Sequence, residues 1–128
     1  MVNFTIEIDS IIVLVTSAIT VWKVQCTLIM ELRIGHGYDS HRLESGTGMM
    51  IGGCHIPCGY ATVAHSDGDA VLHAVTDAIF AAIGADDLGT QFPNSDPKNE
   101  SRNSVEFLQV AFEQAAAGNW KICNVSIT

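Results

Sequence analysis

Residues 69–84 run Asp69-Ala-Val-Leu-His73-Ala-Val-Thr-Asp77-Ala-Ile-Phe-Ala-Ala-Ile-Gly84. Leu72, Val75, Ile79 and Ala82 recur at spacings of three and four, the period of an amphipathic helix, and Gly84 stands where such a helix stops. The residues just before it, Ala64-His65-Ser66-Asp67-Gly68-Asp69, are of the types that capping turns prefer. The same run reads functionally as well: free N–H groups at a helix start, a serine hydroxyl and a histidine can hold a phosphate. Downstream, Val105, Leu108, Phe112 and Ala115 share one face of a second helix expected over about 104–117, with Gly118 ending it. A proline-bounded loop is expected over 92–97. Upstream, 32–35 and 49–52 are short apolar runs bounded by glycine and read as strands, and the glycines at 35, 37, 46, 48, 52, 53 and 59 imply tight turns. In the tail Cys123, Val125 and Ile127 alternate, which predicts a strand. A half-buried strand there needs a neighbour for its backbone groups, from a partner chain or from further sequence.

The chain has 128 residues, 48% of them hydrophobic and 16% charged, which fits one compact domain and excludes disordered, collagenous and repeat architectures. Fourteen acidic residues against six basic ones give a net charge of −8, which argues against generic binding to nucleic acid or to an anionic membrane. An anionic ligand therefore needs a local positive site. Four cysteines without a paired framework read as reduced thiols in a cytosol-like compartment. Residues 11–22 form a 12-residue uncharged run, short of the roughly 20 apolar residues that span a bilayer. Glu7 and Asp9 precede it and the first base is Lys23, which fits neither a secretory signal nor a transit peptide. The run reads as an added strand or as an extension outside the fold.

All five histidines lie between positions 36 and 73, a clustering that points to a site. Asp39 and His41 are two apart, so in an extended segment both side chains leave from one face and can share an ion. Asp, His and His is an acceptable zinc set, and His73 on the 69–84 helix is the candidate third ligand. Asp69 and Asp77 flank it by one turn on either side, and either could orient its ring. The alternative is a set of hydrogen-bonded or surface histidines. Cys54 and Cys58 bracket His55 without the Cys-x-x-Cys spacing and without a second pair, so they read as ordinary thiols.

Five separated motifs, in order, resemble one family. They are Arg33-Ile34-Gly35-His36-Gly37-Tyr38-Asp39-Ser40-His41, Ile51-Gly52-Gly53, Ala64-His65-Ser66-Asp67-Gly68-Asp69, Leu72-His73-Ala74-Val75-Thr76-Asp77-Ala78 and Phe92-Pro93-Asn94-Ser95-Asp96-Pro97. Over about residues 31–128 the chain resembles the 2-C-methyl-D-erythritol 2,4-cyclodiphosphate synthases. The resemblance implies an α/β two-layer sandwich, a mixed β-sheet with helices on one face, assembled as a homotrimer with sites between subunits. It makes residues 1–30 a non-homologous extension, with Met30 as the expected start, and 31–128 the N-terminal portion of the synthase domain.

The implied reaction belongs to the non-mevalonate route to isoprenoids. The 2-phosphate of 4-diphosphocytidyl-2-C-methyl-D-erythritol 2-phosphate attacks its own β-phosphorus, closing a cyclic diphosphate and expelling CMP. By resemblance Asp39, His41 and His73 hold one zinc per subunit, and His65, with Ser66 beside it, stabilises charge on the transferring phosphoryl group. Asp39, His41, His65 and Ser66 also contact substrate, while Asp87, Leu88, Gly89, Phe92, Pro93, Asn94, Ser95 and Asp96 line the methylerythritol pocket. Magnesium or manganese bridges the diphosphate, and the compartment is bacterial cytoplasm or plastid stroma. The family loop reads Phe-Pro-Asp-Thr-Asp-Pro where this chain has Asn94 and Ser95, one carboxylate fewer. Family members also continue for several dozen residues past the tail strand, through a magnesium-binding glutamate, a transition-state threonine and much of the cytidine pocket. Two rival readings follow: a zinc-binding assembly module without turnover, and a metal-dependent phosphoesterase that releases inorganic phosphate rather than CMP.

Overall fold

The computed structural model describes residues 31–128, so the apolar run at 11–22 and the expected start at Met30 lie outside the described residues. The β layer is built from β1 (Arg42–Ser45), β2 (Met49–Ile51), β3 (Cys54–Ile56) and β4 (Tyr60–Val63). β1 pairs antiparallel with β4, and β2 with β3. A single register runs through both pairs, because Gly46 N donates to Gly59 O and Cys58 N to Thr47 O between them. The four strands are thus one long hairpin, interrupted in the middle. The interruption falls at Pro57, which has no N–H to give to the ladder. At the tip, Gly52 and Gly53 have φ of 62° and 83°, the left-handed pair that a two-residue hairpin turn requires.

Two long helices form the other layer, α1 (Ala70–Ile83) and α3 (Ser104–Ala117), with the short α2 (Leu88–Gln91) and a 3₁₀ turn (Pro97–Asn99) between them. Gly84 ends α1 in the left-handed conformation, as its position predicts. α1 and α3 bury Ile79, Phe80, Ala111 and Ala115 against one another, and Val75, Ile83, Leu108 and Trp120 close the edges. Both predicted helices are present at the predicted places, whereas α2, a single turn, has no counterpart in the sequence pattern.

Asp69 joins the layers. Its carboxylate caps α1 by accepting Leu72 N at 3.1 Å, and it also takes Gly52 N at 2.9 Å and Gly53 N at 2.6 Å from the hairpin tip. Burial pushes its pKa up, but the N–H groups of Gly53, Leu72, Gly52 and Val71 outweigh that effect, and the carboxyl sits below its ordinary value.

The segment ahead of β1 lies directly on α1. Gly35 has no side chain because a Cβ there would overlap the carbonyl oxygen of Ala78 and stand 2.6 Å from Ala82 N. Gly37 is in the same position one turn earlier, against Ala74 O and Ala78 N. Side chains alternate inward and outward along 35–41, so Gly35, Gly37, Asp39 and His41 face in while His36, Tyr38 and Ser40 face out.

The two-layer α/β arrangement is the one expected, and the ladders formed among the described residues are antiparallel. Two expected strands need correction: 32–35 and the tail at 123–127 make no ladder. Neither the apolar run at 32–35 nor the alternating tail finds a neighbouring strand among the described residues. Leu32, Ile34, Tyr38, Val125 and Ile127 are left exposed.

Two outcomes are expected. Gly37→Ala should cost about 1–3 kcal/mol, read as a fall in urea midpoint at constant slope; an unchanged midpoint would mean that the close approach is not needed. Because folding favours the Asp69 carboxylate, its contribution is complete above the ordinary aspartate pKa of about 3.9 and is lost as pH falls through the lowered folded value. Asp69→Asn should therefore weaken the fold at neutral pH and flatten the acid limb of a plot of stability against pH.

Candidate metal centre and its cleft

The inward alternation of residues 35–41 carries Asp39 and His41 to the first turn of α1, where His73 is buried. Asp39 Oδ2 lies 2.9 Å from His41 Nδ1 and 3.1 Å from His73 Nδ1. One donor atom from each of the three residues falls within 4.8 Å of the others. The two imidazole rings are 5.2 Å apart and tilted by 46°. His41 Nδ1 is buried and, despite its nearness to Asp39, makes no hydrogen bond. The other carboxylate oxygen, Asp39 Oδ1, accepts Ser40 N at 2.9 Å.

The far side of His73 is held differently from the expectation. Its Nε2 meets Ser104 Oγ at 2.8 Å and Ser66 Oγ at 3.2 Å, and its ring lies 5.9 Å from that of Phe107. Ser104 Oγ donates to Asp67, whose second carboxylate oxygen accepts Ser104 N at 3.0 Å. Neither Asp69 nor Asp77 orients the ring. Asp69 is drawn to the free N–H groups at the helix start and the hairpin tip, and Asp77 accepts Leu88 N at 2.7 Å.

Beside this cluster opens a cleft of about 390 Å³, within the range of small-molecule sites. Asp39, His41 and His73 line it together with His65, Ser66, Leu88, Gly89, Phe92 and Asn94 from the expected set. His65 is exposed there. Four expected pocket residues do not line the cleft. Asp87 caps α2 by accepting Thr90 N at 2.7 Å, and the Thr90 hydroxyl and N–H hold its carboxyl below the ordinary value. Asp96 caps the 3₁₀ turn through Lys98 N, Pro93 O accepts Asn99 Nδ2 at 3.0 Å, and Ser95 is exposed in the turn. Caps consume the two carboxylates, Asp87 and Asp96, that were expected to line the methylerythritol pocket.

Sequence missed Arg42, Asn99 and Phe107 and read Asp77 only as an orienter of His73, whereas all four line the cleft. Arg42 was legible as the base next to His41, and it is the one arginine or lysine among the lining residues. Asn99 and Phe107 carried no local signal, since only the tertiary fold brings α3 and the 3₁₀ turn to the cleft.

The model of the YgbB family matches residues 32–128. The chain belongs to the YgbB family. A relative from Gemmatimonas aurantiaca, 2-C-methyl-D-erythritol 2,4-cyclodiphosphate synthase, is 46% identical over 97 residues, which are 76% of this chain and 58% of that protein. A solved structure of 2C-methyl-D-erythritol-2,4-cyclodiphosphate synthase superposes with a TM-score of 0.64 at 46% identity, covering 68% of this chain and 58% of that one. The CDP-bound form of that enzyme gives the same TM-score at 45% identity, with the same coverage. This YgbB-family chain thus spans about three-fifths of the length of the curated relatives it matches.

Asp77→Ala should free the α2 wall of the cleft without unfolding the helices. The Leu88 amide should then exchange with solvent about three to ten times faster, matching the loss of one hydrogen bond. Unchanged exchange would show that α2 is held by packing alone.

Proposed function

We propose that this chain binds zinc through Asp39, His41 and His73 and uses the adjoining cleft to convert 4-diphosphocytidyl-2-C-methyl-D-erythritol 2-phosphate to 2-C-methyl-D-erythritol 2,4-cyclodiphosphate and CMP. The observation that carries the reading is the convergence of three donors on one point, with His41 Nδ1 buried and lacking a hydrogen-bond partner. The set fits zinc. Bonds of about 2.0–2.2 Å put tetrahedral neighbours roughly 3.3–3.5 Å apart, and the Asp39 oxygen stands 2.9 and 3.1 Å from the two nitrogens. Zinc bound there supplies Lewis acidity toward phosphate oxygens. The CDP held by the solved relative supports a cytidine nucleotide as the ligand class.

In the reaction a 2-phosphate oxygen bonds to the β-phosphorus. The bond from that phosphorus to the oxygen bridging the α-phosphorus breaks, and its electron pair leaves with CMP. Nucleophile and electrophile belong to one molecule, so the chain's task is placement and charge stabilisation rather than covalent catalysis. His65 and Ser66 stand on the loop after β4 at the side of the cleft, which supports a role for them in meeting phosphoryl oxygens. Arg42 brings the local positive charge that an acidic protein needs to hold a diphosphate. Leu88, Gly89, Phe92 and Asn94 form the wall against which the methylerythritol carbons pack.

The same proposal includes one zinc per subunit, a magnesium or manganese ion on the substrate diphosphate, and a homotrimer. Leu32, Ile34 and Tyr38, more than three-quarters exposed on the outer face of the 32–38 segment, support an assembly that covers them. It also includes residues 1–30 as an extension outside the domain, supported by a family match that begins at residue 32, and a bacterial-cytoplasmic or plastid location. Among the described residues no helix is long and apolar enough to cross a membrane.

The purified chain, given the cytidylyl substrate with zinc and magnesium, should produce the cyclic diphosphate and CMP, followed by phosphorus NMR. Inorganic phosphate in their place would make it a phosphoesterase, and zinc uptake without turnover a metal-binding module. His73→Ala should abolish stoichiometric zinc, measured by atomic absorption after gel filtration; full zinc in that variant would overturn the ligand set.

A further inference from the structure

Nε2 of His73 sits between two hydroxyls, Ser104 Oγ at 2.8 Å and Ser66 Oγ at 3.2 Å, and the nearer of the two has no free choice of role. Ser104 Oγ has one hydrogen, and the contact with Asp67 claims it, since a carboxylate only accepts. Toward His73, Ser104 can then act only as acceptor, so Nε2 carries the ring hydrogen. Asp67 is itself fixed. It accepts Ser104 N at 3.0 Å and Asp69 N at 3.2 Å, and its own N–H donates to Arg102 O at 3.2 Å. Ser104 is fully buried at the first turn of α3, so no water competes for its hydroxyl.

We infer that Asp67 and Ser104 are positioning residues: the relay Asp67 to Ser104 to His73 locks His73 with its hydrogen on Nε2, and so directs the Nδ1 lone pair at the point shared with Asp39 and His41. The chemistry is directional. With the hydrogen on Nδ1 the ring would donate to Asp39 and offer a cation nothing, whereas with it on Nε2 the ring presents a lone pair 3.1 Å from a carboxylate oxygen. Two acceptors facing each other at that distance repel, and a cation between them relieves the repulsion. The relay therefore sets up a cation-binding arrangement before any cation arrives, and it does so from α3, the element that sequence reading left outside the site. As regards metal affinity this rests on the ligand set proposed above; the lock itself is a property of the metal-free chain.

The test uses the full chain, metal-free and labelled with ¹⁵N-histidine, at about pH 8, where imidazole is largely neutral. Long-range proton–nitrogen spectra report which ring nitrogen of His73 is protonated. The parent chain should show the hydrogen on Nε2. Ser104→Ala should leave a mixture of the two forms and weaken zinc binding by about tenfold to a hundredfold, while Ser104→Thr, which keeps the hydroxyl, should restore both. Asp67→Ala supplies a second route: with no carboxylate to claim it, the Ser104 hydroxyl is released to donate to His73, and the mixture reappears. His73 found with its hydrogen on Nδ1 in the parent chain, or unmoved in folded Ser104→Ala and Asp67→Ala, would overturn the inference. A parent chain that shows the lock but takes up no zinc would overturn the proposed function and leave the positioning role standing.

Discussion

Everything at the candidate centre depends on how closely residues 35–41 approach α1. Two hydrogens, where any other residue would have Cβ atoms, let the segment lie against the carbonyl oxygens of Ala74 and Ala78. The helix meets it with Ala74, Ala78 and Ala82, small residues one turn apart. With that contact made, the two-residue period of the segment and the nearly four-residue period of the helix bring Asp39 and His73 within 3.1 Å. A side chain at either glycine would lift the segment off the helix and separate Asp39 from His73, which no hydrogen bond between the backbones holds together.

The acidic balance has a structural explanation that composition alone conceals. Asp67, Asp69, Asp77, Asp87 and Asp96 each accept a backbone N–H at the start of a helix or a helical turn, and Asp69 accepts two more at the hairpin tip. These carboxylates satisfy donors that would otherwise be orphaned at helix ends, and their charge is favoured there by the helix dipole. Much of the excess negative charge is therefore committed to holding the loops around the cleft. The cleft itself is lined by one carboxylate from the cluster and one from α1, against Arg42 and three histidines. Two carboxylates against one arginine still leave the cleft short of positive charge, so a cation at the Asp39, His41 and His73 cluster is what would let an acidic protein hold an anion there.

The helices were legible because each carries both a period and a stop signal: Leu72, Val75 and Ile79 with Gly84, then Leu108 and Ala115 with Gly118. The Asp39, His41 and His73 grouping was legible for a related reason, since two of the three share one face of an extended segment whatever the fold. The long hairpin was less visible. Its strands are only three or four residues long and mostly exposed, and what defines it is a register shared across Pro57 rather than an apolar pattern. Choosing Asp69 and Asp77 as partners of His73 failed because helical spacing says which residues are near, not which donors compete for them. Free N–H groups at a helix start and at Leu88 offered these carboxylates better partners, and the buried hydroxyl that took the ring came from 31 residues away.

The same geometry couples the centre to the stability of the fold. Asp39 and His73 are 34 residues apart in sequence and lie on elements that otherwise touch through glycine and alanine, contacts with little apolar area to bury. An ion shared between them would close that long loop in the folded state and find no preformed site in the unfolded chain, so its binding free energy would add to folding. Among the described residues the juncture brings a half-buried carboxylate to face two imidazoles, an arrangement suited to a cation. The Gly35 and Gly37 contact, the Asp67 relay and the unpartnered His41 nitrogen then serve one end from three directions. The first brings the donors together, the second aims one of them, and the third leaves a lone position that a cation completes.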